Sequence, residues 1–356
     1  MSNVNNIRLD AYGFPTKMND TSIEFYDKVV APYLEYNETL WFDYIKSING
    51  SENLNIKSKH FKKLVRNGIP EKQRACIWCK ILGVFDKMTE KNISKDLYDY
   101  TLRNITEETF SNNPDILDQI MLDVPRTFDG ATSFSPGSVF NILKVFAVIH
   151  PEIGYCQSLS LIAAIVVSII QDEEPSFWAF EILVTHYFPP EYFTQSMFDL
   201  SVDLCLTKML LDERTPEIMK KTESIGYDWI LPFSGYLLTI FSNSFPIPTV
   251  LRILDSFILE GAKIIFRVII AFLRMNEAEI LNCEDSNTLN DLMKNWEANM
   301  VDQDKLMKTA FSIKLFSRSH LVEMRQTAKA NVKENGLENH PKIKACLQSL
   351  FGKLGH

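Results

Sequence analysis

Six histidines are scattered through 356 residues, and none stands in an H-E-x-x-H pattern. The chain also lacks a G-x-x-x-x-G-K-[ST] phosphate loop, a G-x-S-x-G elbow and an H-R-D kinase loop. These absences exclude the standard sites of zinc proteases, P-loop nucleotidases, serine hydrolases and kinases. Six cysteines occur, at 76, 79, 156, 205, 283 and 346. Cys76 and Cys79 form a C-x-x-C, but no second pair or nearby histidine completes a zinc site. They share a helical segment with Trp78 and read as buried, free thiols in a reducing compartment. No metal ligands are expected.

Long apolar runs are missing as well. The longest largely apolar stretch, Leu159 to Ile170, covers 12 residues, whereas a membrane-spanning helix needs roughly 20. The stretch Ile264 to Leu273 is interrupted by Arg267. The opening Met-Ser-Asn-Val-Asn-Asn has no apolar core for a secretory signal, and the closing Gly352-Lys353-Leu354-Gly355-His356 carries no lipidation box. A soluble, cytoplasmic protein without a transmembrane segment is expected. The net charge of −8 argues against a nucleic-acid binder, because phosphate contacts require clustered lysine and arginine.

What is abundant is material for a core: 46% hydrophobic residues and 12% aromatic ones. Alternating strand patterns are scarce, while helix signals recur. Pro70 predicts a helix start and Gly83 its end. Ser135-Pro136 predicts a capped helix to about Ile149, stopped by His150-Pro151, with His150 in a structural role. Further helices are expected from about Gln157 to Ile170, from near Pro175-Ser176, and from Pro248 to Glu260, which Gly261 punctuates. No fixed-period repeat is present, so a solenoid is disfavoured. The fold class read from these signals is all-α.

Two short segments carry the chemistry. In Ile120-Met-Leu-Asp123-Val-Pro-Arg126-Thr127, Pro125 disfavours helical geometry at Val124, so Arg126 should project from a loop beyond a rigid helix. In Gly154-Tyr155-Cys156-Gln157, a glycine turn places Gln157 near the start of the apolar helix. An arginine keeps its charge and can stabilise a developing anion, and a neutral amide can both donate to and accept from a water molecule. Neither is a nucleophile, a metal ligand or a good base at neutral pH. The pair therefore suggests help given to another protein's reaction. Taken locally, however, Arg126 also reads as a surface arginine paired with Asp123, worth under about 1 kcal/mol. Gln157 likewise reads as an ordinary polar cap.

Four separated blocks resemble, in order, the TBC (Tre-2/Bub2/Cdc16) family of GTPase-activating proteins for Rab GTPases. Arg66-Asn-Gly68-Ile69-Pro70, followed by Arg74 and Trp78, is similar to its R-x-G-I-P-x-x-x-R-x-x-x-W start. Ile120-x-x-Asp123-x-x-Arg126-Thr127 resembles its I-x-x-D-x-x-R-T arginine motif. Tyr155-Cys156-Gln157 resembles its Y-x-Q motif, and Arg252-Ile253-Leu254-Asp255 with Glu260-Gly261 its R-I-W-D…E-G helix. Leu254 and Tyr236 stand where tryptophans often occur, and Ser158 where many members have glycine. The first two are exchanges between apolar core residues.

The resemblance implies one TBC-type helical domain over residues 62–275. It is flanked by an N-terminal extension, 1–61, holding a long amphipathic helix, and a C-terminal helical extension, 276–356. It implies a catalytic activator of a GTP-bound Rab in vesicle traffic, with no enzymatic activity of its own. Arg126 would be an arginine finger and Gln157 a glutamine finger, supported by Asp123, Thr127, Tyr155 and the scaffold residue Arg74. GTP and magnesium would belong to the partner, leaving this chain no cofactor of its own. Membrane contact would be peripheral, on endomembranes, through the Rab. The alternative is a TBC-like module that binds a GTPase, or acts as a scaffold, without accelerating hydrolysis.

Overall fold

The computed structural model describes residues 8–90, 96–111, 113–313 and 318–335. Among them the secondary structure is helical, with no strand beyond an isolated antiparallel bridge between Leu9 and Pro15. No helix of the described residues is long and apolar enough to cross a membrane. One hydrophobic core runs from Phe14 through Trp41 to Ala328 and Val332, so both flanks contribute to it.

Local signals set most helix ends. Ser135 caps the helix Pro136–Ile149 by accepting from the Ser138 amide. The helix Glu71–Leu82 starts just after Pro70 and ends at Gly83 in the left-handed conformation. The apolar helix is Ser158–Ile170, and the next, Glu173–Ile182, starts two residues before the proline expected to open it. The N-terminal amphipathic stretch is helical from Asp20 to Ser47 but is not regular. Residues Tyr26–Val30 form a π turn just before Pro32. Proline cannot donate to the carbonyl four residues back and its ring crowds that carbonyl, so the helix widens by one residue there.

Packing then places the chemistry-bearing segments. Helices Pro136–Ile149, Ser158–Ile170 and Glu173–Ile182 pack on one another, and Asp115–Asp123 packs on the first of them. On the other side, Ile247–Glu260 packs against Lys59–Asn67, Glu71–Leu82 and Lys263–Met275. The helix Arg318–Asn335 lies along Phe198–Arg214, where Arg325 pairs with buried Asp203 and Asp199.

Candidate functional site

The helix Asp115–Asp123 buries Ile116, Ile120 and Asp123, residues spaced to share one face, and exposes Met121 and Leu122. Beyond it the chain does not leave helical geometry at Val124 as Pro125 would suggest. Val124 keeps right-handed helical angles, φ −57 and ψ −46, and Val124–Arg126 tighten into a 3₁₀ turn. The preference imposed by a following proline is small, and here it is outweighed. Val124 is buried, the Thr127 amide donates to its carbonyl, and the Thr127 hydroxyl donates to the Asp123 carbonyl at 2.8 Å.

This turn leaves Arg126 with a side chain 64% exposed on top of an almost completely buried carboxylate. Asp123 Oδ1 accepts from Arg126 Nε at 3.0 Å and from Nη2. Its other oxygen, Oδ2, accepts the Tyr155 hydroxyl at 2.8 Å. Burial, reinforced by the Asp123 charge, pushes the Tyr155 phenol far above its ordinary pKa, so it remains a donor. One carboxylate thus orients the arginine and receives the tyrosine of the second segment.

The second segment is built on a turn. His150 ends the preceding helix, and the Gly154 amide donates back to its carbonyl at 2.8 Å. Gly154 has φ +62 and approaches Ile116 so closely that a Cβ would lie 3.2 Å from its Cδ1. Only glycine meets both conditions without strain. Gln157 follows as the N-cap of Ser158–Ile170, half-buried, with a side chain that does not cap the helix. The polar-cap reading is therefore not what the geometry displays.

A contact absent from the sequence reading joins the two segments. Thr127 Oγ1 lies 2.8 Å from Ser160 Oγ, and Ser160 donates to the Gln157 carbonyl at 2.8 Å. The N-terminal Tyr12-Gly13-Phe14 segment also reaches this region. Phe14 packs edge-on against Phe128, two residues past Arg126, with ring centroids 4.9 Å apart. The Thr132 amide donates to the Gly13 carbonyl at 2.9 Å, and Gly13 holds φ +77 with no room for a Cβ beside Thr132.

The Rab-GTPase-TBC domain family matches residues 71–281, more than half of the chain. The chain belongs to that family. It is 27% identical over 297 residues to the growth hormone-regulated TBC protein 1 of Xenopus tropicalis, covering 81% of this chain and 83% of that protein. It is 29% identical over 281 residues to TBC1 domain family member 2B of the same species, covering 77% of this chain but only 29% of that longer protein. A solved Chlamydomonas flagellar RabGAP TBC domain aligns with a TM-score of 0.73 at 25% identity, covering 85% of this chain and 99% of that one.

Within this TBC domain the four blocks divide into two pairs. The first and last meet far along the sequence as a buried scaffold. Asp255, wholly buried, accepts from Arg74 Nε at 3.1 Å, from Trp78 Nε1 at 2.8 Å and from the Ile69 amide at 2.8 Å. Arg66 grips Glu260 through two nitrogens, at 2.6 and 3.0 Å. Leu254 and Tyr236 are buried, and Tyr236 adds a hydroxyl that donates to Glu297. Arg74 is thus in the scaffold and away from the Asp123 cluster's hydrogen bonds. The middle two blocks supply Asp123, Arg126, Thr127, Tyr155 and Gln157 and meet through the contacts above.

The remaining candidates are placed as follows. Cys79 is buried as expected, but Cys76 is exposed and 3.8 Å from Ser51 Oγ. The helix turns position 76 outward although Cys79, three residues on, faces the core. Cys346 lies outside the described residues. His150 sits between Glu152 and Glu181, with its ring against Phe146. Among the described residues no group of three histidine, cysteine, aspartate or glutamate side chains is arranged to hold a metal ion.

Proposed function

We propose that this chain accelerates GTP hydrolysis by a Rab-family small GTPase, supplying Arg126 as an arginine finger and Gln157 as a glutamine finger. The observation that carries the reading is the anchoring of Arg126. Its side chain is 64% exposed while its partner Asp123 is buried and tied to the turn that bears Gln157. A surface arginine in an ordinary ion pair would need neither the buried carboxylate nor the second segment.

In this reading the Rab holds GTP and magnesium in its own site. Arg126 neutralises charge developing on the phosphoryl oxygens, and Gln157 orients the attacking water. Arginine fingers in other GTPases are worth about 10³–10⁵ in rate, or roughly 4–7 kcal/mol of barrier. In the same reading, which membership of the family supports, the protein meets its Rab on the cytoplasmic face of an endomembrane, in vesicle traffic.

The test is phosphate release from a panel of GTP-loaded Rabs at a fixed concentration of this protein. Acceleration of at least one Rab by the wild-type chain and none by Arg126→Ala is expected. Measurable binding with no acceleration of any Rab would instead make the chain a GTPase-binding module.

A further inference from the structure

We infer that Ser160 is a positioning residue that sets Gln157 relative to Arg126; the inference rests on the two-finger reading above. Ser160 occupies the third position of the helix Ser158–Ile170 and is 1% exposed. The hydrogen-bond partners of its hydroxyl belong to the two finger segments. Its Oγ donates to the Gln157 carbonyl at 2.8 Å, its amide donates to the same carbonyl at 3.2 Å, and the Thr127 hydroxyl lies 2.8 Å away.

Proton counting gives the arrangement a direction. A hydroxyl has one proton to donate and two lone pairs to accept with. Ser160 spends its proton on the Gln157 carbonyl, so toward Thr127 it is the acceptor. Thr127 shares its proton between Ser160 and the Asp123 carbonyl, which lies at the same 2.8 Å. The result is a tie between the backbone beneath Arg126 and the backbone of Gln157 through two buried hydroxyls, with Thr127 donating toward both ends. Because Thr127 and Ser160 are both buried, bulk water does not readily replace either hydroxyl. Finger geometry must hold to a fraction of an ångström, and a misplacement of about 1 Å costs on the order of 100-fold in rate.

Removing the Ser160 hydroxyl leaves each backbone carbonyl a partner. The Gln157 carbonyl keeps the Ser160 amide, and the Asp123 carbonyl takes the whole Thr127 proton. Alanine is also the best helix former. Ser160→Ala should therefore fold normally while the two segments lose their tie.

The experiment measures single-turnover hydrolysis by a GTP-loaded Rab that this chain activates, as a function of its concentration. Ser160→Ala should lower the saturating rate about tenfold or more, with the half-saturating concentration and melting temperature nearly unchanged. Ser160→Thr should restore most of the rate. In a Gln157→Ala background Ser160→Ala should cost nothing further. Thr127→Val breaks the same tie from the other end, and should act alike if Ser160→Ala fails to fold. An unchanged saturating rate in both variants, or an equal further loss in the Gln157→Ala background, overturns the inference. If Arg126→Ala and Gln157→Ala themselves leave the rate unchanged, the two-finger reading has failed instead.

Discussion

Tyr155 and Asp123 are 32 positions apart, and the tyrosine hydroxyl donates to the carboxylate at 2.8 Å. The bond joins the glycine turn to the helix end that carries Arg126. Asp123 is buried, and without this donor one of its oxygens loses its partner where water cannot substitute. Tyr155→Phe should therefore cost about 1–3 kcal/mol of stability and reduce activation of the Rab. Urea denaturation and a single-turnover assay on the same preparation check both. An unchanged denaturation midpoint would mean that the hydroxyl is not what satisfies Asp123.

Arg126 is mostly exposed but supplies the donors to one oxygen of buried Asp123, so its removal should keep the fold at some cost in stability. Arg126→Ala is expected to lower the saturating hydrolysis rate by at least about 10³, with a modest fall in melting temperature because buried Asp123 loses both donors to its Oδ1. Arg126→Lys should fail almost as badly, because lysine offers one compact charge in place of a planar fork. Gln157→Ala should lose most activation while keeping much of the affinity for the GTP-loaded Rab, read by titration. Poor binding with normal turnover at saturation would assign Gln157 to docking.

The Asp255 cluster predicts the opposite phenotype. Its carboxylate holds Arg74, Trp78 and the Ile69 amide in the core. Asp255→Ala strands a buried guanidinium and should cost about 3–5 kcal/mol, seen as a large fall in the urea midpoint. Whatever fraction remains folded should retain its activity per molecule, since neither Arg126 nor Gln157 is touched.

His150 gives the stability a pH dependence. Burial opposes its charged form, but hydrogen bonds and charge from Glu181 and Glu152 prevail and raise its pKa above the ordinary value. A raised histidine contributes stability that is complete below the unfolded value of about 6.5 and fades as pH climbs through the higher folded value. Melting temperature should fall as pH rises above about 6.5 in the wild-type chain and fall less in His150→Gln. Parallel profiles would remove His150 as the cause.

Much of this architecture is legible in the sequence because helix ends are decided locally. Ser135 and Pro136 open a helix, Gly83 and Gly261 close others, and each acts through its own backbone. The segments that carry Arg126 and Gln157 are visible for the same reason, as a proline beside an arginine and a glycine before a glutamine. What spacing cannot show is partnership across the chain. Ser160 looks like one polar residue in an apolar helix until Thr127, 33 positions away, is set against it. Val124 reads as non-helical because the local bias of Pro125 is visible, whereas the burial and hydrogen bonds that override it are not.

The contact between Phe14 and Phe128 has a consequence for where the working unit begins. The family match starts at residue 71, so a chain cut there keeps every residue of all four motifs except the first block's opening. It would nevertheless lose Gly13, which anchors Thr132, and Phe14, which backs the loop following Arg126. Likeness to relatives marks out the part that is shared, but mechanical support for the Arg126 segment comes partly from outside it. A lesion near residue 14 would therefore present in an assay as a catalytic defect, more than a hundred positions from the arginine it disturbs.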